Sequence, residues 1–364
     1  MVLVNIIISM QIEDFRLERW FARYEHRSEI MLAESGIRSL RADMFDLNPG
    51  KLGYVIPTSG DPALREEIGE RYDRGEDEVL FTCGTQEANF LVFSSLMDKG
   101  DHAVVVTPTY QALHSVPEAF GEVTRVKLTP PDWKLSLEKV EEAVRDETTL
   151  IVLNNPNNPT GRYHPKEKVE RLLEIAEDND AYLLCDEVYR LLVSDPLPPV
   201  TKMSDRGIST TSLTKAYGLA GARFGWIAAP EEVIEKAWRW KDYTTISPTK
   251  IGQHIAKQAL GMMESEILRK NRVLAKNNRD IVQDFIDKHG LDWYRPVGVN
   301  GFITVPEGFE GSIDFCRSLI EEKSVVLAPG KLFGSDDYFR IGFGLETDDL
   351  EEGLFRVESF LEDR

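Results

Sequence analysis

Cysteine and histidine are both scarce in this sequence. Its 364 residues include three cysteines and six histidines. The cysteines lie far apart, with no CxxC or CxxxC pair, and the histidines show no metal-ligand spacing. We therefore expect neither a disulfide framework nor a zinc site, and no metal in the functional site.

Positive charge is in deficit as well. Lysine and arginine number 43 against 62 aspartate and glutamate residues, which gives a formal net charge of −19. Nucleic acids and anionic membrane surfaces are bound by clustered lysine and arginine. We therefore expect neither nucleic acid nor a membrane among the partners, and we interpret the acidic excess as a surface that keeps the protein soluble.

Long hydrophobic runs are missing too. The apolar stretch at residues 1–9 is much shorter than the ~20 residues that a membrane-spanning helix needs. It lacks the basic n-region and the small-residue cleavage site of a secretory signal. We expect it to form an extra strand or to reflect a start codon placed too early, and we expect a cytoplasmic protein.

Strand and helix patterns alternate from residue 79 onward. Short apolar runs typical of strands lie at 79–81, 103–107, 123–128, 149–154, 181–185, 208–213 and 224–228. Helical patterns separate them, at 85–98, 111–120, 136–146, 165–179 and 188–193. Such alternation predicts βαβ units and a mostly parallel sheet that is covered by helices.

This alternation ends near residue 230. Long helices are predicted over 231–289, and strands return at 299–305, 325–328 and 338–343. A charged helical pattern covers residues 15–45. We therefore predict a large α/β domain at 47–245 and a smaller α+β domain built from residues 1–46 and 246–364.

A glycine loop opens the helix after the first strand of this series, with Gly84, Thr85 and Gln86 in succession. Glycine lets the backbone approach an anion, and the free N–H groups of a helix N-terminus bind one. The loop therefore predicts a phosphate site, although an ordinary helix cap after a glycine turn has the same pattern.

Two Asn-Pro units follow the strand at 149–154, in the motif NNPNNPTG at residues 154–161. Asn-Pro favours a turn and disfavours helix. Active sites of open α/β sheets lie beyond the carboxyl ends of the strands, so we expect Asn155 and Asn158 to direct amide donors into a cleft. A plain turn is the alternative.

An acidic residue follows the next strand, in the motif CDEVY at residues 185–189. A carboxylate at this strand end faces the crevice, where Asp186 is placed to hold a protonated ring nitrogen. Tyr189 is placed to donate to a phenolate-like oxygen. The alternative for Asp186 is a helix N-cap.

A lysine lies between a strand and a run of small residues, in SLTKAYGLAGAR at residues 212–223. Burial and nearby cations favour the neutral amine of Lys215, the form that Schiff-base chemistry requires. Arg223 is placed to reach a phosphate. The alternative for Lys215 is an ordinary surface lysine.

An arginine interrupts an apolar strand near the C-terminus, in YFRIGFG at residues 338–344. A buried arginine is rarely unpaired, and its planar guanidinium suits a two-point grip on a carboxylate. Arg340 therefore predicts either a substrate-carboxylate site or a structural ion pair.

These five motifs, in this order, resemble the class I/II aminotransferase family of fold-type I pyridoxal-phosphate enzymes. The resemblance runs from about residue 15 to the C-terminus, and the most specific motifs are NNPNNPTG, DEVY and SLTK with Arg223 eight residues after Lys215. It implies an α/β fold with a mostly parallel central sheet flanked by helices, a smaller α+β domain, and pyridoxal 5′-phosphate (PLP) as the cofactor.

The resemblance also implies roles for single residues. Lys215 forms the Schiff base with the cofactor and moves the proton at the substrate Cα, while Asp186 pairs with the ring nitrogen. The other implied cofactor contacts are Gly84, Thr85, Gln86, Ser212 and Arg223 at the phosphate, Tyr110 stacked on the ring, and Tyr189 and Asn158 at the ring 3′ oxygen. The loop at 83–86 departs from the Gly-Ala or Ser-Gly of many relatives, and we expect its backbone contacts to survive.

Substrate and subunit contacts follow from the same resemblance. Arg340 grips the substrate α-carboxylate, assisted by Asn158, and Gly36 lines the same position. Tyr54 reaches the phosphate in a neighbouring subunit, which implies a homodimer with shared active sites. A core or turn tyrosine is the alternative for Tyr54.

The expected function is the transfer of an amino group between an L-amino acid and a 2-oxo acid. Residues 15–36 also resemble a subgroup that contains capreomycidine-synthase-like enzymes, so a lyase or cyclase acting on a substituted amino acid is an alternative. A ligand-sensing regulator is a remote alternative, because such regulators carry a basic DNA-binding segment and this chain has a net charge of −19.

Overall fold

The computed structural model of the protein describes residues 11–261 and 264–364. The prediction for residues 1–9 lies outside these ranges. Twelve strands are assigned within them: β1 Ile30–Met31, β2 Val79–Thr82, β3 His102–Thr107, β4 Glu122–Lys127, β5 Thr148–Asn154, β6 Tyr182–Asp186, β7 Gly207–Ser212, β8 Gly225–Ala228, β9 Asn300–Thr304, β10 Val325–Val326, β11 Ala328–Pro329 and β12 Tyr338–Gly342.

Eleven α-helices are assigned in the same ranges. They are α1 Arg16–Tyr24, α2 Pro62–Tyr72, α3 Thr85–Leu96, α4 Ala112–Phe120, α5 Leu137–Ala143, α6 Lys166–Asp178, α7 Glu231–Lys241, α8 Lys250–Leu260, α9 Glu264–His289, α10 Ser312–Lys323 and α11 Thr347–Glu362. None of the helices in the described part of the chain is long and apolar enough to cross a membrane.

A seven-stranded sheet forms the centre of the molecule, with the strand order β2-β8-β7-β6-β5-β3-β4. Only β8 runs antiparallel to its neighbours, β2 and β7. Each of the seven apolar runs predicted between residues 79 and 228 forms one of these strands, so the predicted α/β fold with a mostly parallel sheet is confirmed.

Helices cover both faces of this sheet. Val105 packs in one apolar cluster with Leu91 of α3. Its neighbour Val104 packs in another cluster with Leu172 of α6. Successive side chains of a strand point to opposite faces, so a strand covered on both sides is expected to be apolar along its length, as the middle of β3, residues 103–106, is.

Two smaller sheets form in the C-terminal third of the chain, and one of them includes a strand from the N-terminal part. Strands β11, β12 and β9 form an antiparallel sheet, and β1 pairs in parallel with β10. The prediction of a continuous helix over 15–45 is wrong, because α1 ends at Tyr24 and Ile30 pairs with Val325 instead. The strand predicted at 325–328 is divided at Leu327 into β10 and β11, which pair with different partners.

A helix predicted at 188–193 is also wrong. Only a single 3₁₀ turn, Arg190–Leu192, forms there. The prolines at 196, 198 and 199 leave no room for an α-helix to extend, because proline has no N–H to donate and clashes with the preceding turn.

Three neighbouring strands of the central sheet end in polar residues at the same edge. Asn154, Asp186 and Ser212 are the last residues of β5, β6 and β7. Because these strands run parallel to one another, their carboxyl ends open into one crevice, where ligands bind in open α/β sheets.

Candidate active site

A cavity of about 340 Å³ lies at this edge of the sheet. The predicted site residues that line it are Thr85, Gln86, Tyr110, Asn158, Asp186, Tyr189, Ser212, Lys215, Arg223 and Arg340. Two predicted glycines lie directly beside it. A Cβ atom at Gly36 would stand 3.3 Å from Cδ of Lys215, and one at Gly84 would stand 2.8 Å from Nη2 of Arg223.

The carboxylate of Asp186 is buried and bonded only by neutral donors. Its Oδ1 accepts from the backbone N–H of Val188 at 3.1 Å, and its Oδ2 accepts from Nδ2 of Asn89 at 3.0 Å. Burial raises the pKa of Asp186 to about 6, against the opposing effects of these bonds and of Lys215. No salt bridge compensates this charge within the described residues, so a cation supplied by a ligand would stabilise it.

Lys215 and Tyr189 both donate hydrogen bonds to the hydroxyl group of Ser35. Nζ of Lys215 donates to Oγ of Ser35 at 3.3 Å, and the hydroxyl of Tyr189 donates to the same Oγ at 3.0 Å. Burial lowers the pKa of Lys215, and the Glu34 carboxylate opposes this shift. Burial also raises the pKa of Tyr189 to about 12, which keeps it a donor at neutral pH.

The loop before α3 brings three anion-binding features together. Gly84 has a φ of 87°, which glycine adopts without strain, and α3 begins at the next residue with free backbone N–H groups. The Oγ1 of Thr85 is buried and has no hydrogen-bond partner in the described part of the chain. Nη2 of Arg223 donates to the carbonyl of Cys83 at 3.0 Å, which holds the guanidinium over the loop.

Ser212 and Gln86 occupy the same corner of the cavity. Oγ of Ser212 accepts from the backbone N–H of Thr214 at 3.3 Å, and its own hydroxyl proton makes no hydrogen bond within the described residues. Gln86 is exposed at the start of α3 and lines the cavity. Both side chains therefore remain available to a ligand.

The asparagines of the NNPNNPTG motif have different roles, because some make structural hydrogen bonds and others line the cavity. The prediction for Asn155 is wrong, because its Nδ2 donates to the carbonyl of His164 and its Oδ1 accepts from the N–H of the same residue. Asn158 is held by its backbone N–H, which donates to Oδ1 of Asn154 at 2.7 Å. This bond directs the Asn158 side chain to the cavity as predicted.

Arg340 of β12 is only 1% exposed and lacks a carboxylate partner among the described residues. Its Nη1 donates to Oδ1 of Asn158 at 2.8 Å and its Nη2 donates to the carbonyl of Ala33 at 2.5 Å, while its Nε has no partner within residues 11–261 and 264–364. Burial lowers the pKa of Arg340. A buried cation with neutral partners and an unsatisfied N–H is suited to an anionic ligand rather than to an internal ion pair.

Tyr110 links the cavity to the N-terminal helix. Its hydroxyl donates to Oε1 of Glu18 in α1 at 2.9 Å, and its ring lies 5.0 Å from that of Phe15. Burial and the Glu18 carboxylate both raise the pKa of Tyr110. These two contacts fix the orientation of the Tyr110 ring, which we expected to stack on a cofactor.

Tyr54 does not line this cavity. It lies in an extended loop before α2, and 67% of its surface is exposed. Tyr54 is therefore not part of the cavity of its own subunit. The alternative prediction that Tyr54 is a core residue is wrong.

Sequence reasoning missed several residues that line the cavity. Among them are Glu18, Glu25, Glu34, Ser35 and Asn89. Asn89 lies four residues after Thr85 on α3, so helical spacing from the glycine loop could have indicated it. The three glutamates and Ser35 belong to the N-terminal segment, whose position over the sheet no local pattern reveals.

A second group of titratable side chains lies outside the cavity. Ligand atoms of Glu13, His114 and Glu118 lie within 4.8 Å of one another. Glu118 is paired with Arg125, however, and Glu13 accepts from the hydroxyl of Ser115. These contacts describe an ion-pair network, and we assign no metal to it.

The residues in the cavity fit pyridoxal phosphate on chemical grounds. The unpartnered hydroxyl of Thr85 and the cradle at Gly84 suit a phosphate group. The uncompensated carboxylate of Asp186 suits a protonated pyridine nitrogen, and Lys215 presents an amine with a lowered pKa. Fold and cavity together define an α/β enzyme of the pyridoxal-phosphate class.

Comparison with known proteins identifies the family. The sequence model of "Aminotransferase class I and II" matches residues 37–357, so the chain belongs to this family and its cofactor is pyridoxal phosphate. The chain is 30% identical to an aspartate aminotransferase of Thermotoga maritima, over 87% of this chain and 86% of that protein. It is also 30% identical to capreomycidine synthase of Streptomyces vinaceus, over 95% and 93% respectively.

A solved structure agrees with the family assignment. A PLP-dependent aminotransferase from Streptococcus suis superimposes with a TM-score of 0.92 at 32% identity, covering 97% of this chain and 98% of that one. The protein is therefore an enzyme of the class I/II aminotransferase type.

Proposed function

We propose that this enzyme transfers an amino group between an L-amino acid and a 2-oxo acid, with Lys215 as the catalytic residue. One observation carries the proposal. A lysine with a lowered pKa opens into the same cavity as a buried, uncompensated carboxylate, Asp186, and a buried arginine without an acidic partner, Arg340.

Several residues hold the cofactor in this proposal. Lys215 would bond it covalently through Nζ, and Asp186 would keep the proton on the ring nitrogen. Tyr189 and Nδ2 of Asn158 would bind the ring 3′ oxygen, and Tyr110 would cover the ring face. The phosphate contacts are Gly84, Thr85, Gln86, Ser212 and Arg223.

Lys215 also moves a proton in this proposal. When bound, pyridoxal phosphate supplies a protonated ring that accepts the electron pair released at the substrate Cα. Nζ of Lys215 removes the Cα proton, which requires the neutral amine, and burial lowers the pKa of Lys215 in the direction of that form. The hydroxyl of Ser35, 3.3 Å from Nζ, keeps the amine on the cavity side.

Arg340 orients the substrate through its α-carboxylate. Its guanidinium is fixed by Asn158 and by the carbonyl of Ala33, so it needs little reorganisation when a carboxylate binds. Gly36 lies beside Lys215, and a side chain there would crowd Cδ of the lysine. In this proposal Arg340 and Gly36 together limit where the Cα atom of the substrate can lie relative to Nζ.

A half-reaction tests the proposal. Holoenzyme is mixed with one amino acid and no 2-oxo acid, and the cofactor absorbance and products are followed. We expect the visible absorbance to bleach while one equivalent each of 2-oxo acid and pyridoxamine phosphate forms. Persistence of the original absorbance while a β-substituent leaves the amino acid would contradict transamination.

A lyase or cyclase acting on a substituted amino acid is the second candidate. The match to a capreomycidine synthase over nearly the full length of both chains favours it. Both candidates use the same removal of the Cα proton by Lys215. They differ in whether the amino group leaves the substrate, which the half-reaction measures directly.

We also propose that the active enzyme is a homodimer with shared active sites. Large apolar side chains are exposed around Tyr54, namely Leu52 at 74% and Ile56 at 83%, and Tyr243 is 89% exposed. Trp238 Nε1 donates to Oγ1 of Thr58, which joins the two segments that carry these side chains. Light scattering should give twice the chain mass, and a monomer of full activity would contradict a shared site.

A further inference from the structure

One hydroxyl group in the cavity contacts two of the side chains that the proposed function places on the cofactor. Ser35 lines the cavity and is only 6% exposed. Its Oγ accepts from Nζ of Lys215 at 3.3 Å and from the hydroxyl of Tyr189 at 3.0 Å. Within the described residues, Nζ and the Tyr189 hydroxyl make no other hydrogen bond. Ser35 therefore joins the two side chains, and all three residues belong to one subunit.

The single proton of the Tyr189 hydroxyl has two acceptors once the proposed roles are assigned. A phenol carries one O–H donor, and in this structure it donates to Ser35. The proposed function assigns the same proton to the ring 3′ oxygen, and one proton cannot point along both directions. When the ring oxygen is bound, Ser35 must therefore lose the proton of Tyr189.

Ser35 has a proton of its own with which to keep this contact. A serine hydroxyl offers one donor and two acceptor lone pairs, and its hydrogen rotates about the Cβ–Oγ bond. Here both lone pairs accept, from Lys215 and from Tyr189, and the proton has no acceptor in the described part of the chain. Rotation of this proton lets Ser35 donate to Tyr189 while the two oxygen atoms stay in place.

We propose that Ser35 is a positioning residue that reverses its hydrogen bond with Tyr189 when the ring oxygen binds. The donors then run in one direction, from Nζ of Lys215 through Ser35 and Tyr189 to the ring oxygen. Hydrogen bonds arranged head to tail polarise one another, and each becomes stronger. This inference rests on the proposed function, because it places Tyr189 at the ring 3′ oxygen. No bond between heavy atoms forms or breaks, and every proton stays on its own oxygen or nitrogen.

The Lys215 end of this chain matters most when Nζ carries a positive charge. Nζ becomes an ammonium group when it takes the Cα proton, and an ammonium group has three donors and no acceptor. Lys215 has no ion pair within residues 11–261 and 264–364, and Ser35 is its hydrogen-bond acceptor there. Because burial makes a charge on Nζ costly, this acceptor stabilises Lys215 at the moment of proton removal.

Cofactor affinity tests the Tyr189 end of the chain. Apoenzyme is titrated with pyridoxal phosphate and with 3-deoxypyridoxal phosphate, an analogue that lacks the ring oxygen. Ser35→Ala should weaken binding of pyridoxal phosphate about fivefold, the order of one hydrogen bond, and leave binding of the analogue unchanged. In a Tyr189→Phe background, Ser35→Ala should have no further effect on either ligand, because the chain is already broken.

The rate of the half-reaction tests the Lys215 end. With saturating amino acid, Ser35→Ala should bleach the cofactor absorbance about tenfold more slowly, while the half-saturating concentration stays the same, because the lost contact is to a charge that forms during proton removal. Ser35→Thr keeps the hydroxyl and should restore the rate to within about threefold. Ser94→Ala, at a buried serine of α3 whose hydroxyl bonds the carbonyl of Leu91, is the matched control and should behave as the wild type.

A second variant keeps the test valid if Ser35→Ala does not fold. Ser35→Cys has nearly the same size, and its thiol is a weak donor and a weak acceptor, so it should show the same two losses. If these variants weaken binding of pyridoxal phosphate and of the analogue equally, Ser35 supports the site as a whole and the inference is overturned. Wild-type rates in the half-reaction would overturn it as well.

Failure of the proposed function gives a different result. If no amino acid bleaches the absorbance of the wild-type holoenzyme, transamination fails. The affinity measurements need no amino acid, so they still support or overturn the hydrogen bond between Ser35 and Tyr189 in that case.

Discussion

Nδ2 of Asn89 donates a hydrogen bond of 3.0 Å to Oδ2 of Asp186, across 97 residues of sequence. The amide of Asn89 is itself oriented by Thr210, whose hydroxyl donates to Oδ1 at 2.6 Å. Because Oδ1 accepts from Thr210, Nδ2 must face Asp186, and the carboxylate is held in one rotamer. Asn89 is therefore a positioning residue for the group that we assign to the ring nitrogen.

Asn89→Ala should weaken cofactor binding about tenfold, which is the order of one hydrogen bond to a charged group. Loss of the donor also leaves Oδ2 of Asp186 unsatisfied and free to turn. Ser94→Ala, another buried polar position of α3 whose hydroxyl bonds the carbonyl of Leu91, should leave the affinity unchanged. Titration of apoenzyme with pyridoxal phosphate measures both, and wild-type affinity in Asn89→Ala would contradict the positioning role.

Asp186→Asn should change the pH dependence of apoenzyme stability. Burial raises the pKa of Asp186 from 3.8 to about 6, so folding favours the protonated form. Its stabilising contribution is complete below pH 3.8 and is lost as the pH rises through about 6. The loss is on the order of 3 kcal/mol.

The free energy of unfolding of apo Asp186→Asn, relative to the wild type, should therefore rise between about pH 4 and pH 6 and stay level above about pH 7. Denaturant titrations at each pH measure this difference. In the holoenzyme the sign reverses, because a ring-nitrogen proton pairs with the ionised carboxylate and the variant loses that pair. A difference that stays constant with pH in the apoenzyme would contradict the raised pKa.

Arg340→Lys should raise KM for the amino acid roughly 100-fold, equivalent to about 2–3 kcal/mol, because an ammonium group cannot make the two-point grip of a guanidinium. Cofactor affinity should not change. Arg279→Lys, at a half-buried arginine that bonds the carbonyl of Pro296 outside the cavity, is the matched control. Steady-state kinetics measure KM for both variants. An unchanged KM in Arg340→Lys would contradict the assignment of Arg340 to the substrate carboxylate.

Gly84→Ala should lower cofactor affinity more than tenfold. The backbone at Gly84 has a φ of 87°, where alanine is strained by roughly 1–3 kcal/mol, and the added Cβ would stand 2.8 Å from Nη2 of Arg223. Gly334→Ala is a control with a φ of 82° and no atom within 4 Å of the new Cβ. Equal affinities in the two variants would show that the loop does not hold the phosphate.

The sequence motifs predicted the residues that follow strands of the central sheet. Asp186 and Ser212 end their strands, and parallel strands end at one edge, so their proximity follows from the strand pattern alone. Arg340 could be singled out because an arginine in an apolar strand needs an anion.

The rest of the site depends on tertiary packing. Ser35 contacts Tyr189 and Lys215 across 154 and 180 residues, because β1 pairs with β10 and places the N-terminal loop over the cavity. The helical pattern at 15–45 did not indicate this position of the loop, since pairing with a distant strand overrides local helix propensity. Glu34 was missed for the same reason, whereas Glu18 lies in a helix, α1, whose position over the cavity is set by tertiary packing.

Transfer of the amino group itself is the central claim, and an isotope measurement tests it most directly. Holoenzyme is supplied with an amino acid that carries a labelled amino nitrogen and with an unlabelled 2-oxo acid of different carbon skeleton. We predict that mass spectrometry finds the label in the newly formed amino acid, and that Lys215→Ala forms none of it. Label released as free ammonium, with no labelled new amino acid, would contradict the aminotransferase function and favour elimination.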